Sequence, residues 1–327
     1  MAFVDQSLEW LRAYAPSREE PDDFDEFWSQ TLAAARRWPA RLEDTTHDAG
    51  LRSVKVYDVR FPGFGGQPIA GWLLVPREIN EPAPAVVQYV GYGGGRGEPW
   101  INLVPSAAGY IHLIMDNRGQ GGGGGHRAIT PDLDEDGHGP GPSSPGLLTR
   151  GIQSPHRHYL RRLITDAARA VDAIRTHPLV DPDCVAVIGG SQGGGLALAV
   201  AGLVDGLRAV VADVPFLSHY RRASQITDTQ PYAEIARYLS GNRGMEEQAF
   251  RTLSYVDAVN FSARASAPAW ISVGLMDGTC PPSTVYAAYH HYSGTKDLKV
   301  YPYNGHEGGG SEGVARTLAA LASTLRV

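Results

Sequence analysis

Apolar positions along this chain fall into two alternating kinds of stretch, short β-branched runs and longer segments with helical spacing. Residues 54–61 alternate apolar and polar, turn at Gly65-Gly66, and continue in the apolar run 69–76, which predicts an antiparallel pair at a sheet edge. Runs at 85–90, 111–116, 184–188, 209–215, 269–275 and 298–303 are bounded by glycine, proline or polar residues and read as further strands, the elbow run at 184–188 as a buried parallel one. Between them lie helical patterns at 160–176, 194–201, 282–292 and 314–325. In the first, Leu160, Leu163, Ile164, Ala167, Val171 and Ile174 share one face. Another helix is predicted over 24–35, opened by Pro21-Asp22-Asp23.

Strands that alternate with helices build a mostly parallel central sheet with helices on both faces. The expectation is one α/β domain over 1–327, with a helical N-terminal extension to about residue 50. Residues 217–265 are polar and helical in pattern, an insertion of the size of a small cap. Residues 121–158 are rich in Gly and Pro and carry Asp132, Asp134, Glu135 and Asp136, a long loop suited to function or assembly.

Composition narrows the partners. The chain has 327 residues, 43% hydrophobic and 20% charged, with a net charge of −6 and no basic tract, which argues against nucleic acid. No run is long enough to span a bilayer, and the first twenty residues lack the apolar segment of a secretion signal, so no membrane partner and a cytoplasmic location are expected. Two cysteines, Cys184 and Cys280, fit a reducing compartment.

Chemistry concentrates at Gly189-Gly190-Ser191-Gln192-Gly193, a G-x-S-x-G pattern set between a strand and a helix. That context is a nucleophile elbow: Ser191 at the apex of a sharp turn, with Gly189 and Gly193 letting the two backbones pass closely. A serine nucleophile needs a base and an orienting acid. His306 follows the last strand and Asp277 the penultimate one, giving the chain order Ser, Asp, His that marks the α/β-hydrolase arrangement. Asp213, at the end of the strand after the elbow, is the rival acid, better suited to packing or hydrogen bonding there. The oxyanion donors are expected to be the backbone N–H of Gln192 and that of Tyr92, in the glycine-rich loop after the strand at 85–90.

Other readings have less behind them. Gly119 to Gly124 matches G-x-G-x-x-G, but a loop follows where a dinucleotide site needs a helix, so no cofactor is expected. His156-x-His158 lacks a second ligand cluster, so no metal is expected. Cys280, between Thr279 and Pro281, is a weak nucleophile candidate. A hydrolase-fold binding protein with a decayed site is countered by the presence of all three triad residues. A broader carboxylesterase or acyl-peptide activity stays open.

The residues resemble the acetyl xylan esterase and cephalosporin C deacetylase group, carbohydrate esterase family seven, over nearly the whole chain. The resemblance rests on Asp23 to Trp28, Gly91 to Gly97, Met115 to Gly121, Thr149 to Ile152, Gly189 to Gly195, Asp213 to Leu217, Gly274 to Asp277, Cys280 to Thr284 and Tyr301 to Gly310. The combination of Arg118-Gly119-Gln120-Gly121, Gly189-x-Ser191-Gln192-Gly193 and His306-Glu307 is its most specific part. It implies an α/β-hydrolase fold and a serine esterase that deacetylates small substrates such as xylo-oligosaccharides and cephalosporin C. It implies the triad Ser191, His306 and Asp277 with oxyanion donors from Tyr92 and Gln192. A cytoplasmic homo-oligomer is also implied, a hexamer built as a ring of dimers with subunit contacts from about 121–150, as is use of hydrogen peroxide in place of water.

Overall fold

The structure, a computed structural model, describes residues 3–122, 126–133 and 146–325. Two helices, α1 (Leu8–Ala13) and α2 (Phe24–Ala35), precede the exposed strand β1 (Glu43–His47). A long antiparallel pair follows, β2 (Val54–Pro62) and β3 (Pro68–Pro76), then β4 (Ala83–Tyr89), the short helix α3 (Val104–Ala107) and β5 (Ile111–Met115). Helix α4 (Tyr159–Ile174) leads to β6 (Val180–Gly190), α5 (Gln192–Leu203) and β7 (Leu207–Asp213). Four helices fill the insertion: α6 (Tyr220–Ile226), α7 (Ala233–Gly241), α8 (Glu246–Ser254) and α9 (Ala258–Ser262). The chain closes with β8 (Ala269–Gly274), α10 (Pro282–His291), β9 (Lys296–Tyr301) and α11 (Gly310–Thr324).

Among the described residues, nine strands join one sheet in the order β1-β2-β3-β5-β4-β6-β7-β8-β9. From β5 to β9 every pairing is parallel, and β1, β2 and β3 add an antiparallel flank. This is the mostly parallel, helix-covered sheet of an α/β-hydrolase fold. The β2–β3 pair is not the edge that its alternation suggests. The charged strand β1 pairs outside β2 and takes that position, where polar side chains are tolerated.

Side-chain alternation divides the core. In β6, Val185 and Val187 face the large core that includes α4 and α5, while Ala186 and Ile188 face the smaller core under α11. The six apolar residues of the α4 face are fully buried. Helix α5 is buried along residues 192–201, so its sequence is apolar all round. Among the described residues, no helix is long and apolar enough to cross a membrane.

In the 121–158 segment, residues 123–125 and 134–145 lie outside the described part, including Asp134, Glu135 and Asp136. Asp132 turns inward. It is buried, meets Arg162 at 2.5 and 2.8 Å and Arg150 at 3.2 Å, and ties the loop to α4.

Candidate active site

The elbow is built by close backbone approach. Ser191 sits at φ 55° and ψ −122°, left-handed in φ for a residue with a side chain, between the end of β6 and the first turn of α5. Its N–H donates to the Asp213 carbonyl at 2.9 Å, and its carbonyl accepts from Gly195 and Phe216. A Cβ on Gly189 would lie 2.3 Å from the Gly193 carbonyl carbon, and one on Gly193 would lie 2.1 Å from the Tyr89 carbonyl oxygen. Both positions therefore exclude any side chain, and the turn projects the serine beyond the carboxyl edge of the sheet.

Two neighbouring strand ends supply the partners. Past β9, His306 turns its Nε2 to Ser191 Oγ at 2.9 Å and its Nδ1 to Asp277 Oδ2 at 2.9 Å. Asp277 follows β8 and is fully buried, its other oxygen accepting the Thr279 and Cys280 N–H groups at 2.8 and 2.9 Å. The loops are drawn together by backbone bonds from Leu275 to Tyr301 and from Met276 to Asn304. Glu307 fastens the histidine turn, accepting from Asn304 Nδ2 and Gly305 N at 3.0 Å each. Its own backbone N–H, then Asn304, hold its carboxyl below the usual value. With Asp277 orienting the imidazole, the arrangement can move a proton from the serine hydroxyl to Nε2.

The acetyl xylan esterase (AXE1) family model matches residues 1–321. The chain belongs to the acetyl xylan esterase family. With that it joins the carboxylic ester hydrolases. Among solved structures it is similar to the acetyl xylan esterase from Paenibacillus sp. R4, 36% identical, covering 98% of this chain and 100% of that one with a TM-score of 0.89. It is also similar to acetyl xylan esterase 1 from Thermoanaerobacterium sp. JW/SL YS485, 33% identical, covering 97% and 99% with a TM-score of 0.86. Acetyl esterase Axe7A of Xylanibacter ruminicola is 28% identical over 311 residues. That match takes in 89% of this chain, which spans 64% of the length of Axe7A. The Pyrococcus horikoshii acylaminoacyl peptidase, 16% identical with a TM-score of 0.61, shares the fold alone.

In this family member the two expected oxyanion donors flank one buried polar network. Gln120 Oε1 accepts the Gly93 N–H at 2.6 Å, and its Nε2 donates at 2.9 Å to both Gln192 Oε1 and the Tyr159 hydroxyl. The Gln192 amide reaches back to the Val90 carbonyl at 3.3 Å. Asn117 Nδ2 donates to the carbonyls of Gly91 and Gly94 at 3.1 and 3.0 Å. The glycine-rich loop is thus held from below by side chains that follow β5. Among the described residues, neither the Tyr92 nor the Gln192 N–H is engaged by a protein acceptor. Such free, fixed donors are what a developing oxyanion requires.

The remaining candidates are placed elsewhere. Asp213 accepts from the Ser272 hydroxyl and has no bond to His306. His158 is buried at the start of α4, accepting from the Leu160 N–H and meeting the Leu148 carbonyl; His156 stacks obliquely on Phe27. After Gly119, the described residues 120–122 and 126–133 form a loop. Cys280 is buried, and burial pushes its thiol well above the usual value. Among the described residues one grouping has metal-ligand spacing, Asp277, Cys280 and His306, with one atom each within 4.8 Å. Its carboxylate and imidazole are already bonded to each other, and the imidazole to Ser191. A cavity of about 350 Å³ opens between α3 and α11 against Gly189, Gly190 and Asp213, and the serine, histidine and Asp277 do not line it.

Glu307, Asn117, Gln120 and Glu234 were not singled out as functional side chains by sequence reasoning. For the first three a signal existed, since each stands inside a motif that carries the family resemblance. Glu234 lies in the insertion, and nothing in its local sequence marks it.

Proposed function

We propose that this chain is a serine esterase that removes acetyl groups from small acetylated substrates such as xylo-oligosaccharides and cephalosporin C, through an acetyl-enzyme. The observation that carries the reading is the continuous hydrogen-bonded line from Asp277 through His306 to Ser191, each link 2.9 Å. In the first half-reaction Ser191 Oγ attacks the acetyl carbonyl carbon while His306 Nε2 takes the hydroxyl proton. The negative charge on the carbonyl oxygen is met by the N–H groups of Tyr92 and Gln192. Collapse breaks the bond to the alcohol oxygen, which leaves with the proton from Nε2. Water then gives its proton to the same nitrogen, attacks the acetyl-serine and releases acetate, returning the proton to Oγ.

Buried Asp277 keeps Nδ1 as the protonated nitrogen, so that Nε2 is the acceptor facing the serine. The reading extends to one catalytic domain capped by residues 217–265, in a cytoplasmic homo-oligomer of hexameric size. With two cysteines in the whole chain, Cys184 and Cys280, the composition is not that of a disulfide scaffold, which supports a reducing compartment. A light-scattering mass tests the assembly.

The decisive experiment compares wild type and Ser191→Ala on p-nitrophenyl acetate, longer acyl esters, acetylated xylo-oligosaccharides and cephalosporin C. A loss on the order of a thousandfold or more is expected for the variant. Comparable turnover would remove Ser191 from its role, and equal rates on long acyl chains would replace the acetyl preference with a broader carboxylesterase.

A further inference from the structure

The loop that carries Tyr92 is flanked by Gly91 and Gly93, and Gly93 has φ +77°, so its own backbone does little to hold the Tyr92 peptide in one orientation. The anchors come from side chains. Gln120 holds the Gly93 N–H from below, as described above. From above, the Tyr92 hydroxyl donates to Glu234 Oε1 at 2.6 Å, and Glu234 belongs to the first turn of the cap helix α7. The other oxygen of Glu234 accepts the Leu148 N–H at 3.1 Å, and the Tyr92 oxygen accepts the Leu147 N–H at 3.0 Å. The Tyr92 ring stands edge-on to Phe216, with centroids 6.0 Å apart at 84°.

Three distant segments therefore meet at one phenol: the oxyanion loop, the end of the long loop at Leu147-Leu148, and the cap. Glu234 is 5% exposed, and its two oxygens are engaged by a phenol and a backbone N–H, neither of them a cation. A buried carboxylate held this way is an expensive choice for packing alone, since an apolar residue would fill the space without desolvating a charge. Burial, with Glu234 beside it, raises the Tyr92 phenol well above its usual value, so it remains a donor.

We propose that Glu234 is a positioning residue for deacylation and acylation alike: from the cap it clamps the Tyr92 side chain, and through that residue's Cα keeps the Tyr92 N–H aimed at the oxyanion. The inference rests on the reading of Tyr92 as an oxyanion donor. It makes the cap part of the catalytic apparatus, because displacement of α7 would loosen one of the two donors.

The test uses the full chain with Tyr92→Phe, Glu234→Ala and the double variant, beside Ser191→Ala. It measures kcat and KM on p-nitrophenyl acetate, the inactivation rate by diethyl p-nitrophenyl phosphate, and thermal midpoints. Tyr92→Phe keeps the ring, its packing and the backbone N–H, and removes the hydroxyl with its bonds to Glu234 and the Leu147 N–H. Each single variant is expected to lose about tenfold to a hundredfold in kcat, with KM within about threefold, because the anchor acts on the transition state. Phosphylation should slow in parallel, and the double variant should be no worse than the poorer single. Tyr92→Phe with kcat within twofold of wild type overturns the proposal, as does a loss carried by KM or by thermal stability alone, or losses that multiply in the double variant. If Ser191→Ala is inactive while both clamp variants turn over normally, this inference fails and the triad reading stands. Normal turnover by Ser191→Ala would instead fail the reading beneath it.

Discussion

Asp213 Oδ1 accepts the Ser272 hydroxyl at 2.8 Å, and this bond commits the carboxylate at the end of β7 to the neighbouring strand β8. Burial pushes that carboxyl above its usual value, with the Ser272 hydroxyl opposing. Asp277, one strand further on, faces His306 Nδ1 instead. Asp277→Asn is expected to lower kcat by about ten-thousandfold, the size of effect seen when a triad acid loses its ability to fix the imidazole tautomer. Asp213→Asn should stay within about tenfold of wild type, since it touches the site through its backbone carbonyl, which the substitution keeps. Turnover of p-nitrophenyl acetate by both variants decides the matter, and a larger loss for Asp213 would reverse the assignment.

Much of this was legible because burial leaves a pattern. The apolar runs at 85–90, 111–116 and 184–188 became β4, β5 and β6, and the face of Leu160 to Ile174 became the buried side of α4. Strand β1 was not legible. Its sequence, Glu-Asp-Thr-Thr-His, is polar and exposed, and it is a strand because β2 offers an open edge. Asp277 was preferred to Asp213 from strand order alone; the bond that commits Asp213 elsewhere runs to Ser272, 59 residues away, and has no local trace. The Tyr92–Glu234 bond spans 142 residues and has no local trace at all. Polar contacts of that range follow from packing, which periodicity does not encode.

Gly193→Ala puts the steric argument for the elbow at risk. The added methyl would lie 2.1 Å from a backbone oxygen, that of Tyr89 on β4, which cannot swing aside as a flexible side chain would. The first turn of α5 must shift, taking the Gln192 N–H with it. Activity should fall by at least a hundredfold, and the thermal midpoint should drop. A variant with wild-type kcat and melting would mean that the elbow is looser than its geometry requires.

Arg118 and Asp166 form a buried pair beneath the glycine-rich loops. Both are fully buried, with Nε to Oδ2 at 2.5 Å and Nη2 to Oδ1 at 2.7 Å. Asp166 Oδ1 also accepts the Phe64 N–H, joining α4 to the turn between β2 and β3. Arg118→Met should destabilise the protein by about 3–5 kcal/mol, because it leaves the buried Asp166 carboxylate without its cationic partner. Adding Asp166→Leu should recover part of that loss. Urea denaturation of the single and double variants tests this, and equal stability of Arg118→Met and wild type would show that the pair contributes nothing.

Stability should fall on the acid side of neutrality, and buried histidines set the window. Burial holds His112 down to about 3, and His158 and His219 to about 4. An ordinary histidine titrates near 6.5, so between about 4 and 6.5 the unfolded chain binds more protons than the folded one. The contribution is therefore fully present above about pH 6.5 and is lost as pH falls through that value towards 4. Asp257, raised to about 6 by burial, binds its proton more readily when folded and opposes the trend between about 4 and 6. The steepest loss should accordingly begin just below pH 6.5, where the histidines act without that opposition. His158 is the most useful probe, since its ring meets the Leu148 carbonyl and accepts from the Leu160 N–H, an arrangement that suits the neutral form. His158→Asn retains an acceptor for the helix cap and removes the titration. Its stability deficit relative to wild type should shrink as pH is lowered from 7 to 5, by an amount on the order of 1–2 kcal/mol. Urea midpoints across that range give the measurement, and a deficit that is constant with pH would remove His158 as a source of acid lability.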